Sequence, residues 1–343
     1  MSSDQPPVDR YLRQSLFIGA AAQERLGRAT AVVVGCGALG SMSAMLLARA
    51  GVGRLRLVDR DYVDRINLHR QILYTEQDAR HALPKAVAAA AHLAECNSEI
   101  ALEPHVADFT PGTAAALCAG ADVIVDGLDN FEGRFLLNDV AVKLGVPWVY
   151  GGAVAAYGLT MTILPGVGPC LRCIYEEAPP PGTSPTCDTI GILAPIATTV
   201  ASLQAAEALK IAGGLTARVS RHLLSLDLWQ GGVQEVAVAR TPGCPCCDAR
   251  RFDYLEGARA SHADALCGRN AVQLAPAAGG AIDLAALAAR LGAAGAAVTQ
   301  NAYLVRARLD GHELTVFADG RAIVAGTPDP AVARGVYAKY VGA

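Results

Sequence analysis

Apolar residues in the first half of the chain alternate between two rhythms. Short aliphatic runs have the length and composition of buried strands: Val32-Val33-Val34, Leu55 to Asp59, Ile100 to Val106, Ala121 to Asp126 and Val146 to Tyr150. Helical spacing fills the gaps, from Gly40 to about Ala50, from Lys85 to Glu95, from Thr113 to Ala119 and from Phe131 to Leu144. A polar-faced helical segment over 10–28 leads in. Strand and helix taking turns in this way predict a parallel, doubly wound α/β sheet.

After Gly151 the pattern changes. Gly158 to Leu164, Leu223 to Leu228 and Val233 to Val238 predict strands of an antiparallel annex. Between them lie a Pro-rich loop, 176–186, and an apolar helix from about Gly191 to Ala212. A boundary is expected near Arg250-Arg251, dividing the chain into 1–250 and a small α+β module over 251–343. In that module Ala271 to Leu274 reads as a strand, and Asp283 caps a helix to about Leu291. Tyr303 to Arg308 and Glu313 to Phe317 form a hairpin about Asp310-Gly311-His312, followed by a strand from Ala322 to Val324. Asp329 caps a last helix with Pro330 at its first position. No internal repeat is present.

Composition narrows the function. The chain is 52% hydrophobic but only 5% aromatic, so its core is small-residue and aliphatic. Twenty-nine basic against 32 acidic residues give a net charge of −3, without the basic excess of a nucleic-acid surface. The uncharged stretch Thr30 to Ala48 approaches the length of a membrane span, but Gly35, Gly37 and Gly40 divide it into strand, turn and helix. A second uncharged run, Thr189 to Ala206, contains Pro195, Thr198, Thr199, Ser202 and Gln204. The polar N-terminus lacks the apolar centre of a signal peptide, so a soluble, cytoplasmic protein is expected. Ten cysteines in such a chain point to metal or thiol chemistry rather than to disulfides.

Gly35-x-Gly37-x-x-Gly40 sits between a strand and a helix, where backbone N–H groups can approach phosphates and the helix N-terminus favours negative charge. Asp59 ends the next strand, placed for ribose hydroxyls. This much fits a nicotinamide dehydrogenase equally well. The following residues favour a nucleoside triphosphate. Arg70 and Lys85 supply cations for its phosphates, and Asn67 and Gln71 supply hydrogen bonds. Asp129, just beyond the fourth strand, is placed either to hold Mg²⁺ or to cap the helix that starts at Phe131.

Cys170-x-x-Cys173 and Cys244-x-x-Cys247 are two thiolate hooks of the kind that close a tetrahedral structural zinc site, with Cys246 a rival to Cys247. Such a zinc would staple the annex. Cys187 follows the Pro-rich loop and precedes a helix, a position that favours a reactive thiolate. Cys36 reads as a packing residue. Cys96, Cys118 and Cys267 have no partner pattern, and Cys267 is read as structural.

Taken in order, these segments resemble the ThiF/MoeB/HesA family, relatives of the ubiquitin-activating enzymes. The resemblance rests on Arg10-Tyr11-Leu12-Arg13-Gln14, Gly35 to Gly40, Asp59-x-Asp61, Asn67-Leu68-His69-Arg70-Gln71, Pro84-Lys85 and Asp126 to Asn130. It continues through Gly151-Gly152-Ala153, Pro169 to Cys173, Thr186-Cys187, Ser202 to Glu207 and Gly243 to Cys247, covering roughly 8–250. It implies an adenylyltransferase that uses ATP and Mg²⁺ to activate the C-terminal carboxylate of a small ubiquitin-like or sulfur-carrier protein ending in Gly-Gly. Asp59 and Asp61 would lie at the nucleotide, with Asp59 on the ribose. Asn67, Arg70 and Lys85 would meet the phosphates, and Asp129 would bind Mg²⁺. Arg13 would reach the nucleotide of a second subunit, implying a homodimer. Cys187 would take the activated carrier as a thioester or persulfide, or stand by. Two positions depart from the family pattern: Ala82, where Gly is frequent, and Asp188-Thr189, where close relatives often carry Glu. The alternatives are adenylation of a small molecule, a peptide or a tRNA base, a carrier-binding scaffold with decayed catalysis, and a nicotinamide oxidoreductase. Residues 251–343 lie outside the resemblance and read as a protein-docking module or a dimer-stabilising extension.

Overall fold

The computed structural model describes residues 9–179, 186–258, 265–266, 270–274 and 282–342. Two short helices, α1 (Leu12–Ile18) and α2 (Ala20–Leu26), lead into β1 (Thr30–Val34), α3 (Ala38–Arg49) and β2 (Arg54–Asp59). Next come α4 (Glu76–Arg80), α5 (Lys85–Cys96), β3 (Ala101–Val106), α6 (Ala114–Cys118), β4 (Val123–Asp126), α7 (Phe131–Leu144) and β5 (Trp148–Val154). The chain continues through β6 (Tyr157–Ile163), α8 (Leu171–Ile174), α9 (Cys187–Ile190), α10 (Ala194–Ala212), β7 (His222–Asp227) and β8 (Gly232–Ala237).

These eight strands form one sheet in the order β3-β2-β1-β4-β5-β6-β7-β8. The first five are parallel and the rest antiparallel. The annex is therefore continuous with the parallel half rather than a separate piece. β1 is buried on both faces, which explains its unbroken aliphatic run. Ala31 and Val33 pack under α3, α5 and α10, while Val32 and Val34 face α7. Strand order reverses between β1 and β4, which opens a crevice at their carboxyl ends.

Three elements differ from the sequence reading. β5 runs past Tyr150 to Val154, because Gly151 lets the strand pass close to α10: a Cβ there would lie 2.4 Å from Gln204 Nε2. The helix expected from Gly191 begins at Ala194, and Cys187 lies on the separate one-turn α9, which ends at Gly191 with φ of 81°. The segment after β8 stays on the large sheet through Leu255, beyond Arg250-Arg251. Phe252 and Tyr254 are buried in the cluster that includes α7, and Asp139 Oδ2 accepts the Tyr254 N–H at 2.9 Å.

A second, wholly antiparallel sheet follows, built from β9 (Ala265–Leu266), β10 (Ala271–Leu274), β11 (Ala297–Gln300), β12 (Leu304–Leu309), β13 (His312–Phe317) and β14 (Ala322–Ala325) in the order β11-β12-β13-β14-β10-β9. Its helices, α11 (Leu284–Ala293) and α12 (Pro330–Tyr340), cover one face over Val272, Leu287, Leu291, Leu314 and Val324. Asp283 and Asp329 cap them through side-chain oxygens, as the sequence predicts. The centre of the Pro-rich loop, 180–185, and Cys267 lie outside the described residues. No helix among the described residues is long and apolar enough to cross a membrane.

Candidate functional site

The loop after β1 is held by close backbone packing that only glycine permits. Gly35 has φ of +88°. A Cβ on Gly40 would fall 1.8 Å from the Gly35 carbonyl oxygen, and one on Gly127 would fall 2.1 Å from it. The loop is thus pressed between α3 and the end of β4, with its N–H groups at the start of α3. Gly127 shares this duty, a role the sequence reading did not give it.

The carboxylate of Asp59 fixes the loop from the side, each oxygen accepting a backbone N–H at 2.7 Å, from Cys36 and from Asp61. Each oxygen keeps a lone pair for a further donor. Burial pushes the Asp59 carboxyl up, opposed by the positive charge of Lys85. Lys85, only 4% exposed, meets Asp61 Oδ2 at 3.0 Å. Tyr74 ties the two segments together, its hydroxyl donating to the carbonyls of Cys36 at 2.7 Å and Lys85 at 3.2 Å. Asn67 is buried and accepts from Arg70 Nη2 at 3.0 Å. Gln71 is buried beside Gly37, and its Oε1 has no hydrogen-bond partner among the described residues. An orphaned buried amide oxygen calls for a donor, such as a ligand hydroxyl or amino group.

At the end of β4 the helix cap is Asn130, whose side chain accepts from the Gly133 N–H at 2.7 Å. Asp129 is therefore not the cap. It is exposed at the mouth of the crevice and accepts from Asn130 Nδ2 at 3.2 Å. Beneath it lies a buried ion pair absent from the sequence reading. Arg134 Nε meets Asp126 Oδ2 at 3.0 Å, and Arg134 Nη2 also donates to the carbonyls of Leu128 at 2.6 Å and Gly151 at 3.0 Å. Burial pushes the Asp126 carboxyl up and Arg134 opposes it. Gln204 of α10 donates to the Asp126 carbonyl at 2.8 Å. The one available signal was polarity: Gln204 stands among apolar residues of α10, and Arg134 stands in α7 with the equally buried Asn138 and Asp139.

Gly35, Gly37, Gly40, Asp59, Asp61, Asn67, Arg70, Gln71, Lys85 and Asp129 thus surround the carboxyl ends of β1, β2 and β4. Arg13 does not join them. It is exposed on α1, whose neighbours Tyr11 and Gln14 touch Gly51 and Ala50 just before β2, at the opposite end of the sheet.

The cysteine hooks converge elsewhere, against α7. The sulfurs of Cys170, Cys173, Cys244 and Cys247 lie within 4.8 Å of one another, with Cys170–Cys244 at 3.6 Å and Cys173–Cys247 at 3.5 Å. A tetrahedral zinc with bonds of about 2.3 Å needs sulfurs roughly 3.8 Å apart, so the four fit such an ion. Cys246 is buried next to them but accepts from Asn138 Nδ2 at 3.2 Å. Cys187 is half-buried at the end of β5, its sulfur 3.4 Å from the Ala153 carbonyl oxygen. The helix it starts has a single turn, so little macrodipole acts on the thiol. Cys36 is fully buried, and burial pushes its thiol far up, as suits a packing residue.

A doubly wound sheet with a glycine loop, paired cations and carboxylates at its switch point defines a nucleotide-binding unit of the α/β class. The chain belongs to the ThiF family, whose profile matches residues 11–246. It is 43% identical over 337 residues to the sulfur carrier protein ThiS adenylyltransferase of Bacillus subtilis, covering 97% of this chain and 99% of that one. It is 40% identical over 248 residues to the sulfur carrier protein adenylyltransferase of Thermus thermophilus, covering 70% of this chain and 90% of the relative. The crystal structure of E. coli MccB with MccA-N7isoASN shares the fold, with a TM-score of 0.62 at 22% identity over 71% of this chain and 75% of the other.

Proposed function

We propose that this protein uses ATP to adenylylate the C-terminal glycine carboxylate of a small ubiquitin-like or sulfur-carrier protein. The observation that carries this reading is the crevice between β1 and β4. There a glycine loop and the cations Arg70 and Lys85 gather with the exposed Asp129 at the carboxyl ends of β1, β2 and β4. The family and the activities named for the two relatives supply the substrate class.

Asp59 holds the ribose through its remaining lone pairs. Loop N–H groups, Asn67, Gln71, Arg70 and Lys85 hold the phosphates. Lys85, held at Asp61 Oδ2 at 3.0 Å, lends its charge to the phosphates from that position. Asp129 would hold Mg²⁺, which when bound neutralises phosphate charge. A carboxylate oxygen of the carrier attacks the α-phosphorus, and the bond from that phosphorus to the bridging oxygen breaks. Pyrophosphate leaves with that electron pair, and the carrier becomes an acyl-adenylate. No proton has to move, so positioning and charge neutralisation provide the acceleration. Arg13 lies too far from its own crevice and acts on that of a second copy. The exposed Leu12, Leu16 and Phe17 on α1 supply an apolar face for that homodimer.

The carrier docks beside β5, where Tyr157, Ile190, Leu193 and Trp229 are exposed about a shared hollow next to the helix that Cys187 starts. The Cys187 thiolate, its proton given to solvent, then attacks the acyl carbonyl carbon; the bond from that carbon to the AMP oxygen breaks, AMP leaves with the electron pair, and a thioester forms. Cys170, Cys173, Cys244 and Cys247 bind a structural zinc that joins the segments following β6 and β8.

The test is product mass. Incubated with ATP and a Gly-Gly-ended carrier, the enzyme should yield a carrier bearing one AMP at its C-terminus. AMP transferred instead to a small molecule or a peptide would replace this reading with another substrate class.

A further inference from the structure

The uncovered face of the smaller sheet rests on the nucleotide-binding segments. Ala271, Leu304, Phe317 and Ile323 from that face form a cluster with Ala82, and Tyr62 packs against it. Residues 60–64 and 81–84 carry no regular structure beyond a Tyr62↔Pro84 bridge and a Val63 N–H to Leu83 carbonyl bond at 2.8 Å. They nevertheless position Asp61 and Lys85. Ala82 adopts φ of +47°, a conformation that disfavours any Cβ, yet its methyl is fully buried in this cluster.

One row of side chains across four neighbouring strands makes the specific contacts. Register places Arg306 opposite Thr315, Thr315 opposite Ile323, and Ile323 opposite Gln273. Arg306 lies over the Tyr62 ring at 5.6 Å, and the buried Thr315 side chain stands beside the Tyr62 hydroxyl. Gln273 Nε2 donates to Asp108 Oδ2 at 2.9 Å, and Asp108 Oδ1 pairs with Arg60 at 3.2 Å. Arg60 and Tyr62 are the two chain neighbours of Asp61. Asn301, at the start of the β12 turn, adds bonds to the carbonyls of His81 at 2.9 Å and Ala82 at 3.0 Å.

We propose that the smaller sheet is a brace for the nucleotide site. In this role Arg306, Thr315 and Gln273 are positioning residues that hold Tyr62 and Arg60, and through them Asp61 and Lys85, in the ATP-binding arrangement. This rests on the adenylylation reading above. Without the brace two irregular segments would have to be ordered when ATP binds, and that ordering weakens binding without touching chemistry. The brace therefore acts on ATP affinity, not on the carrier.

The experiment measures ATP- and carrier-dependence of pyrophosphate exchange in the full chain. Thermal midpoints serve as a folding control. Loss of the Gln273 and Arg306 contacts in the double variant Gln273→Ala/Arg306→Ala should raise KM for ATP about tenfold, with kcat and carrier KM within about twofold. Arg306→Lys should recover most of the Arg306 share by keeping a cation over the ring. Thr315→Val, nearly isosteric, should raise KM for ATP about threefold and keeps the test open if the double variant does not fold. An unchanged KM for ATP in folded variants overturns the brace while leaving adenylylation intact. A rise confined to carrier KM overturns it in favour of a docking surface. Wild-type protein without carrier-dependent exchange overturns the adenylylation reading, and the brace with it.

Discussion

The two halves of the large sheet handle polarity and exposure in opposite ways. At the carboxyl ends of β1 and β4 the backbone is pressed together through glycines, and charged groups are buried in pairs, Asp126 with Arg134 and Asp61 with Lys85. Beyond β5 the sheet shows its apolar side chains to solvent: Trp229 is 75% and Val233 65% exposed. A small charged ligand is best gripped by a site built before it arrives, whereas a folded protein partner needs a surface to cover. The contrast suggests that the nucleotide end is stabilised from within and the other end by its partner.

The largest effect should come from the buried pair. Asp126→Ala strands the Arg134 guanidinium without its counter-charge, and urea unfolding should show a loss of about 3–5 kcal/mol. A loss under 1 kcal/mol would mean that the crevice is less rigid than the contrast requires. Asp129, exposed at the same end, should behave differently. Asp129→Ala should lower pyrophosphate exchange by about 10²–10³-fold while stability stays within about 0.5 kcal/mol.

On the open half, Trp229→Ala should raise carrier KM about tenfold, in the range of an interface anchor, with KM for ATP unchanged. A shift in both constants would blur the division. The smallest effect on exchange belongs to Cys187→Ala, which should form the adenylate at the wild-type rate yet lose any thiol-reducible carrier conjugate on non-reducing gels.

Much of this was legible in the sequence where physics is local. β1 and β2 begin within two residues of their expected starts, and α7 spans Phe131–Leu144 as read, because aliphatic runs and caps announce themselves. The residues assigned to the nucleotide sit at loop and strand-end positions, and all but Arg13 gather at the crevice. Long-range pairing was not legible. Nothing in the string joins Asp126 to Arg134 in three dimensions, or Gln273 to Asp108. The length of β5 was hidden because Gly151-Gly152 reads as a turn until Gln204 is seen filling the space. β11 has no alternation to mark it, with Val298 and Thr299 only half-buried. Ala82 read as a mere departure from pattern, whereas its methyl lies in the contact between the two sheets.

The central claim is that the β1–β4 crevice activates a carrier's terminal carboxylate, and the most direct measurement is ATP–pyrophosphate exchange with one Gly-Gly-ended carrier in two forms. The free carboxylate should support exchange, and the same carrier ending in a carboxamide should not, because it lacks the attacking oxygen. Equal exchange with both forms, or with no carrier at all, would contradict the account.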